Sequence, residues 1–418
     1  MNHRVFEEYE SEVRSYCRKF PTVFVKAKGA VLTDENGADY IDFFCGAGSC
    51  NYGHNNDFIK ARVVEYLQND GIVHSLDMYA QAKGEFLDYF ENGVLKPRGL
   101  DYKIMFPGPT GTNAVEAALK LARKVTGRSN VFALMGCFHG MSLGSMALTT
   151  DAASRKGCGV PLANVTHIPA PYMFPQLDTI DYMETILTDD HSGVEKPAAL
   201  FVEAVQAEGG VYVLEDEWLR RARALCDRHG ILLALDEIQV GCCRTGAFFA
   251  FERAGIKPDI FVMAKSIGGM GFPFALTLFK PELDIWSPGE HNGTFRGFQP
   301  AMVAAKAALE YMLKYDVEAE TRRKGAIIEA YLRENLPKIN GKLGCRGIGM
   351  IWGIDFAAFP EGSARRASKN CFERGLVIEL AGRGDCVLKL MPPLTISDDM
   401  LVTGLGRITD AIKSMNLE

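Results

Sequence analysis

Short apolar runs alternate with amphipathic stretches through most of the chain. The runs that predict buried strands lie at 103–106, 131–135, 198–203 and 231–236. The stretches with helical spacing of apolar residues lie between them, at 113–125 and 217–228. Strands that alternate with helices are typical of crossover units. This pattern predicts an α/β fold built on a large, doubly wound, mainly parallel sheet.

The two ends of the chain have a different pattern. The first 55 or so residues predict a helix followed by strands, with Asn36-Gly37 as a hairpin turn. The other elements expected near the ends are strands over 31–43, 349–355 and 386–390 and a helix over 303–314. We therefore expect three segments: 1–55, which joins the small domain, 56–310, which forms the large domain, and 311–418, which forms the small domain. A ligand site is expected where the two domains meet.

The composition predicts a globular protein with a large core. Of 418 residues, 47% are hydrophobic and 23% are charged, and no apolar stretch approaches the length of a membrane span. The first residues are acidic and amphipathic, without the apolar core of a signal peptide, so a cytoplasmic location is expected. The net charge of −6, without a basic block, argues against nucleic-acid binding. The 11 cysteines contain no Cys-x-x-Cys pair, so we expect reduced, mostly buried thiols and no metal site.

Asp236 and Lys265 end two successive apolar runs. If these runs are neighbouring parallel strands, both side chains lie at the sheet edge where ligands bind in α/β folds. Burial disfavours the charged form of a lysine, which makes its amine a nucleophile for a Schiff base with pyridoxal phosphate. A carboxylate near the ring nitrogen of that cofactor keeps the nitrogen protonated. The simpler alternative is that Asp236 caps the next helix and Lys265 is solvated.

A phosphate anchor is expected in the loop and helix at 106–123. Thr110 or Thr112 can cap the helix, its first N–H groups can face a phosphate, and Gly111 permits close approach of the backbone. A capped helix without a ligand has the same sequence pattern, so that alternative stays open here. In the loop after the 131–135 strand, Phe138 is suited to stack on a planar ring, or else belongs to the core.

Glu203 and Glu208 bring two carboxylates to the same predicted edge of the sheet. With these loops assembled, the chain resembles the class III aminotransferases of fold-type I over essentially its whole length. The motifs that carry the resemblance are Gly111-Thr-Asn-Ala-Val-Glu-Ala-Ala, Phe138-His-Gly, Glu203-Ala-Val-Gln-Ala-Glu-Gly-Gly, Leu235-Asp-Glu-Ile-Gln-Val-Gly-Cys-Cys-Arg-Thr-Gly, Ala264-Lys-Ser and Gly293-Thr-Phe. The resemblance implies a fold-type I transferase that depends on pyridoxal 5′-phosphate.

The resemblance also implies roles around the cofactor ring. Lys265 would be the Schiff-base lysine and proton shuttle, and Asp236 the partner of the pyridine nitrogen. Gln239 would contact the ring hydroxyl. Phe138 would stack on the ring, and His139, next in the same motif, would belong to the cofactor site.

Around the phosphate, the resemblance implies Gly111 and Thr112 as contacts. Thr294 matches a threonine that reaches the phosphate from the neighbouring subunit in this family. A homodimer or a higher even oligomer is therefore implied, because each site would be incomplete alone.

Within the class, the chain is most similar to members of the ectoine-pathway type. These move the amino group of L-glutamate onto L-aspartate 4-semialdehyde, giving L-2,4-diaminobutyrate and 2-oxoglutarate. The stretches that carry this similarity lie at 10–14, 20–24, 46–54, 70–74, 95–103, 107–113, 282–286 and 293–298. Tyr52, Glu208 and Lys389 are the implied substrate contacts.

Two positions depart from the broader family. Met141 follows the Phe-His-Gly motif, where many members have an arginine that can bind a substrate carboxylate. Lys389 stands where many relatives have a carboxylate-binding arginine before the Pro-Pro pair. A lysine cannot make the two-pronged contact of an arginine, so a carboxylate ligand and a plain strand lysine both remain open for Lys389.

Three other functions compete with this interpretation. A dinucleotide-dependent oxidoreductase would also be doubly wound, but the chain lacks a Gly-x-Gly-x-x-Gly motif after the first strand with an acid further on. A second alternative is a catalytically silent protein of the same fold, but Lys265, Asp236 and Gln239 together argue against it. The nearest alternative is another activity of the same fold, namely an aminotransferase for 4-aminobutyrate, ornithine or another ω-amine, or an aminomutase.

Overall fold

The computed structural model of the protein describes residues 3–417, so residues 1, 2 and 418 of the predicted outer segments lie outside it. The strands are β1 (Phe24–Lys28), β2 (Val31–Asp34), β3 (Asp39–Asp42), β4 (Lys103–Met105), β5 (Val131–Leu134), β6 (Val165–Ile168), β7 (Ala199–Val202), β8 (Val205–Gln206), β9 (Tyr212–Val213), β10 (Leu232–Asp236), β11 (Ile260–Met263), β12 (Leu276–Phe279), β13 (Gly344–Ile348), β14 (Ile351–Asp355), β15 (Leu376–Val377), β16 (Glu379–Ala381) and β17 (Val387–Leu390). The α-helices are α1 (Arg4–Tyr9), α2 (Tyr16–Lys19), α3 (Cys45–Gly48), α4 (Asp57–Gln68), α5 (Gln81–Phe90), α6 (Gly111–Thr126), α7 (Leu143–Leu148), α8 (Ala152–Arg155), α9 (Thr179–Thr188), α10 (Asp216–His229), α11 (Gln299–Lys314), α12 (Val317–Ile339), α13 (Ser363–Glu373) and α14 (Asp398–Lys413).

A seven-stranded sheet organises the fold, in the order β4-β12-β11-β10-β7-β5-β6. Neighbouring strands are parallel except for β12, which runs antiparallel to both β11 and β4. The predicted α/β class with a mainly parallel sheet is therefore confirmed. Every residue of β5, β7, β11 and β12 is buried, because helices cover both faces of such a sheet.

Two amphipathic helices show how the sequence places the site. Helix α6 buries a stripe that includes Ala114, Ala118 and Leu121, and it packs against β10 and β11. Helix α10 buries Leu219 and Leu225 and packs against β10. Because both helices brace β10, the end of that strand is held rigidly at the sheet edge where α6 begins.

Two four-stranded sheets lie outside the large sheet. One has the order β1-β2-β3-β15, so the N-terminal strands pair with a strand from the last part of the chain. Its β2–β3 hairpin turns at Asn36-Gly37 as predicted, with Gly37 at a φ of 81° that favours glycine. The other sheet has the order β13-β14-β17-β16. Within residues 3–417, no helix combines the length and the apolar character needed to cross a membrane.

Candidate active site

One cavity of about 330 Å³ at the carboxyl ends of β10 and β11 brings most of the predicted site residues together. The predicted residues that line it are Gly111, Thr112, Phe138, His139, Glu208, Asp236, Gln239 and Lys265. Three other predicted residues, Tyr52, Thr294 and Lys389, do not line it. The cavity is therefore assembled mainly from the strand-end loops that carry the sequence motifs.

Lys265 follows β11, and the strand next to β11 in the sheet is β10, which ends at Asp236. These strands are parallel, with Asp236 in register with Val262. Lys265 has a φ of 55°, which non-glycine residues rarely adopt and which is typical of side chains held in place for function. Burial, followed by the nearby Lys389 cation, lowers the pKa of Lys265, although the Glu208 carboxylate opposes this shift. Burial therefore shifts this amine toward its uncharged, nucleophilic form.

Asp236 is held in a fixed orientation. Its Oδ2 accepts a hydrogen bond from His139 Nδ1 at 2.7 Å, and its Oδ1 accepts one from the backbone N–H of Ile238 at 3.0 Å. His139 Nε2 is buried without a hydrogen-bond partner among the described residues. A buried polar atom without a partner is costly, so this nitrogen suits a site that a ligand completes.

Glu203 adds a second acid to the same wall. Burial, together with the Asp236 charge, raises the pKa of Glu203 well above its usual value. Its Oε2 accepts a hydrogen bond from the backbone N–H of Phe138 at 3.2 Å. Glu203 is thus favoured in its neutral form, and it fixes the backbone of the loop that carries Phe138.

The beginning of α6 forms a cradle for an anion. A Cβ atom on Gly140 would lie 2.6 Å from Thr112 Oγ1, and the φ of Gly140 is 127°, so this position requires glycine. A Cβ atom on Gly111 would lie 2.9 Å from the end of the Ile238 side chain, so this position leaves little room for a larger residue. Thr110 precedes the helix, and its backbone N–H and hydroxyl both donate to Asn113 Oδ1. The helix therefore starts at Gly111, with its free N–H groups at the cavity.

Lys389 lies outside the cavity lining and pairs with two carboxylates. Its side chain is fully buried, its Nζ pairs with Glu208 Oε1, and Glu379 Oε2 lies 3.0 Å away. Burial would lower the pKa of Lys389, but these two carboxylates raise it, so the lysine stays charged. Lys389 thus lies outside the cavity lining, whereas its ion-pair partner Glu208 lines the cavity. The role of Lys389 as a substrate contact stays a prediction.

Tyr52 and Thr294 also lie outside the lining of the cavity. Tyr52 is only 1% exposed, packs edge-on against Tyr311 and does not line the cavity, so its substrate contact stays a prediction. This buried position suits the largely apolar ring of a tyrosine. Thr294 is exposed on the surface, where its carbonyl accepts a hydrogen bond from His74 Nε2 at 2.6 Å.

The structure adds residues that sequence reasoning did not select. Ser49 and the loop over 271–274, with Phe272 and Phe274, complete the cavity wall. The glycine-rich run at 268–271, directly after Lys265, was a signal for this loop. Glu379 was also missed, although its strand precedes a glycine-containing turn and the strand of Lys389.

These features fit pyridoxal phosphate. The Lys265 amine makes no hydrogen bond or ion pair with any residue in 3–417, so it is available for a covalent bond. The Asp236 carboxylate suits a protonated ring nitrogen, and the glycine cradle at α6 suits a phosphate. The residues of the cavity therefore fit the carbonyl group, the ring nitrogen and the phosphate of this cofactor.

Comparisons with known proteins agree with this geometry. The family model described as "Aminotransferase class-III" matches residues 14–412. A protein of Halalkalibacterium halodurans named "Diaminobutyrate--2-oxoglutarate transaminase" is 52% identical, over 98% of this chain and 96% of its own. A protein of Streptomyces coelicolor with the same name is 51% identical, over 98% of this chain and 97% of its own.

The solved structures that resemble the chain include the ornithine aminotransferase of Toxoplasma gondii. It superposes with a TM-score of 0.85 at 25% identity, and the match covers 98% of this chain and 93% of that one. Fold, site and family model agree over nearly the whole length. The chain belongs to the class III aminotransferases, and its cofactor is pyridoxal 5′-phosphate.

Proposed function

We propose that the chain transfers the amino group of L-glutamate to L-aspartate 4-semialdehyde, giving L-2,4-diaminobutyrate and 2-oxoglutarate. Relatives with 52% and 51% identity over 98% of the chain are named for a transamination between diaminobutyrate and 2-oxoglutarate. The structural observation that supports the proposal is the Lys265 amine, which lines the same cavity as the Asp236 carboxylate. Transamination needs both an amine that holds the cofactor and a carboxylate that keeps the ring nitrogen protonated.

In this proposal each residue around the cofactor has a separate role in the reaction. Pyridoxal phosphate, when bound, supplies an electron sink for the amine-bearing carbon of the substrate. Lys265 Nζ would hold the cofactor and move the proton that leaves that carbon. Asp236, oriented by His139, would hold the proton on the ring nitrogen. Phe138 would cover one ring face and exclude water from it.

Two further contacts are proposed at the rim of the ring and at the phosphate. Gln239 lines the cavity and would reach the ring hydroxyl, although its Nε2 already donates to Ala47 O at 2.9 Å and to Glu208 Oε1 at 3.0 Å. Gly111 and Thr112 would bind the phosphate through the first N–H groups of α6. The Thr112 hydroxyl is hydrogen-bonded to Ser142, at the start of α7, and to Ser145 within that helix, which fixes its position.

We propose that the active unit is a homodimer or a higher even oligomer. The segments 72–79 and 293–298 hydrogen-bond to each other through their backbones. They expose large apolar side chains, among them Tyr79, which is fully exposed, and Phe295. Contiguous apolar surface is typical of protein interfaces. Thr294 lies on this surface and outside its own chain's cavity, which supports a role in the neighbouring subunit's site.

We further propose a cytoplasmic location and the division into segments 1–55, 56–310 and 311–418. All 11 cysteines are free, as in proteins of reducing compartments. The pairing of β3 with β15 supports the assignment of the first segment to the small domain. The cavity, in contrast, is lined mainly by the middle segment.

The test of the reaction uses purified holoenzyme, L-glutamate and three aldehydes in parallel: L-aspartate 4-semialdehyde, succinate semialdehyde and L-glutamate 5-semialdehyde. Mass spectrometry then quantifies the three amine products. The proposal expects diaminobutyrate to form fastest. Faster formation of 4-aminobutyrate or ornithine would assign one of those activities instead. Movement of an amine within one substrate, without an acceptor, would indicate an aminomutase.

A further inference from the structure

Lys389 is held by two carboxylates that differ in rigidity. Glu379 stands directly opposite Lys389 on the antiparallel strands β16 and β17. Such opposed residues have their Cβ atoms within about 5 Å, so the sheet itself sets this pair. Glu208 belongs instead to the loop between β8 and β9. Glu379 is therefore a fixed partner of Lys389, and Glu208 is a partner contributed by a loop.

Tyr16 holds Glu379 from the other side. Its hydroxyl donates a hydrogen bond to Glu379 Oε1 at 2.8 Å, while Glu379 Oε2 faces Lys389. The Tyr16 ring packs against Phe44, with 4.9 Å between ring centroids. Burial, together with the Glu379 charge, raises the pKa of Tyr16, so the phenol remains a donor. Glu379 Oε1 is thus hydrogen-bonded to Tyr16, and Glu379 Oε2 lies within ion-pair distance of Lys389.

One carboxylate oxygen of Glu208 has no hydrogen-bond donor among residues 3–417. Glu208 Oε1 is close to both Lys389 Nζ and Gln239 Nε2, whereas Glu208 Oε2 accepts no hydrogen bond from the residues in 3–417. Its side chain is 28% exposed and lines the cavity. With one lysine between two glutamates, the cluster also carries surplus negative charge. An acceptor oxygen in such a setting attracts an ammonium group.

We propose that Glu379 is the fixed counter-ion of Lys389 and thereby leaves Glu208 Oε2 to bind the α-ammonium group of a diamino acid whose distal amine reacts. The inference rests on the proposed function, because it names the feature by which this site would recognise diaminobutyrate. Glu208 is then a specificity-determining residue, and Glu379 is a positioning residue that acts through Lys389. Among the described residues that line the cavity, Lys265 is the only lysine or arginine, so no other cation there competes for Glu208.

The test compares two amine donors that differ only at the α carbon. L-2,4-diaminobutyrate has an α-ammonium group, and 4-aminobutyrate has the same chain and carboxylate without it. With 2-oxoglutarate as acceptor, kcat/KM is measured for each donor, and the ratio between donors is the readout. General damage to the site lowers both values and leaves the ratio unchanged, so a merely structural role would not move it.

We expect Glu208→Gln to lower this ratio roughly ten- to a hundredfold, the range for a lost hydrogen bond to a charged group. Glu379→Gln should lower it in the same direction, because Glu208 then becomes the only counter-ion of Lys389. Tyr16→Phe, at a residue that is 45% exposed and so does not endanger folding, should lower it about two- to fivefold. The control is Glu252→Gln, which changes a half-buried glutamate paired with Arg98 away from the cavity.

Each outcome separates this inference from the proposed function. A wild-type enzyme that does not prefer diaminobutyrate contradicts the proposed function itself. A wild-type preference that persists in both Glu208→Gln and Glu379→Gln overturns the present inference alone. A drop in Glu208→Gln without any drop in Glu379→Gln or Tyr16→Phe also overturns it, because Glu379 then does not position the cluster. A drop in all three, with no change in Glu252→Gln, supports it.

Discussion

Asp236 and His139 form a buried pair, with Asp236 Oδ2 2.7 Å from His139 Nδ1. The contact joins the end of β10 to the loop after β5, two parts of the chain that both line the cavity. The backbone N–H of Ile238 holds the other carboxylate oxygen. A carboxylate fixed in this way can stabilise a protonated ring nitrogen without first reorienting.

Asp236→Asn should therefore keep the cofactor but lose most activity. A neutral amide no longer favours the ring cation, and a loss of about 1–3 pK units corresponds to a roughly ten- to thousandfold lower kcat. Absorbance of the bound cofactor and steady-state transamination measure the two effects separately. The matched control is Glu237→Gln, because Glu237 accepts hydrogen bonds from Ala250 N and Phe251 N and does not line the cavity. Normal turnover in Asp236→Asn would remove Asp236 from the mechanism.

The two buried lysines near the cavity should react differently. The pKa of Lys265 is lowered by burial, whereas paired carboxylates raise the pKa of Lys389 against the effect of burial. Only Lys265 is therefore expected to have the uncharged amine that bonds the cofactor. Borohydride treatment of the holoenzyme, followed by peptide mapping, should place the cofactor on Lys265. Label on Lys389, or label that persists in Lys265→Ala, would contradict the assignment.

The Asp236–Lys265 site could be predicted because it depends on short-range patterns. Apolar runs identify the two strands, and neighbouring parallel strands end at one sheet edge, so the side chains that follow must meet. The glycine motif before α6 similarly predicts a helix start. Each of these steps needs only local sequence and a general rule of α/β folds.

The Glu379–Lys389 pair could not be predicted in the same way. It depends on the register of β16 and β17 across the turn between them, and a shift of one residue would place the two side chains on opposite faces. Glu208 joins the pair from a distant part of the chain, which no local pattern specifies. Tyr52 shows the same limit, because its burial results from packing against Tyr311 on α11.

Glu203 should make the apoenzyme less stable as the pH rises. In the unfolded chain the pKa of a glutamate is about 4.3. In the folded protein, burial and the Asp236 charge raise the pKa of Glu203 well above this value. Between these two pKa values the folded state binds more protons than the unfolded state, so the free energy of unfolding falls with increasing pH. Glu203→Gln removes this dependence. The stability of this variant relative to wild type should therefore increase as the pH rises above the usual glutamate pKa, from about pH 5 to about pH 8.

Urea unfolding of both apoenzymes at several pH values measures this difference. The amide can still accept the hydrogen bond from Phe138 N, so the variant keeps the local contact that Glu203 makes. A stability difference that stays constant across the pH range would show that Glu203 is ionised in the folded protein.

Thr294 should act in the site of the neighbouring subunit. It lies on an exposed apolar surface and outside its own cavity. Thr294→Asp would place a carboxylate near the partner's phosphate, so this variant should lose cofactor affinity. Lys265→Ala is inactive for a different reason. If the site is shared, a mixed dimer of the two variants has one site with both defects and one site with neither, so subunit exchange should restore partial activity.

The control for this complementation mixes Lys265→Ala with Asp236→Asn. Both of these residues serve the cavity of their own chain, so every site in a mixed dimer keeps one defect and no activity should return. Differently tagged subunits show by mass that mixed dimers have formed. Activity in the Thr294→Asp mixture but not in the control would place Thr294 across the interface. If mixed dimers form and neither mixture regains activity, Thr294 does not complete the partner's site, and each chain must bind its phosphate with α6 and the residues around it.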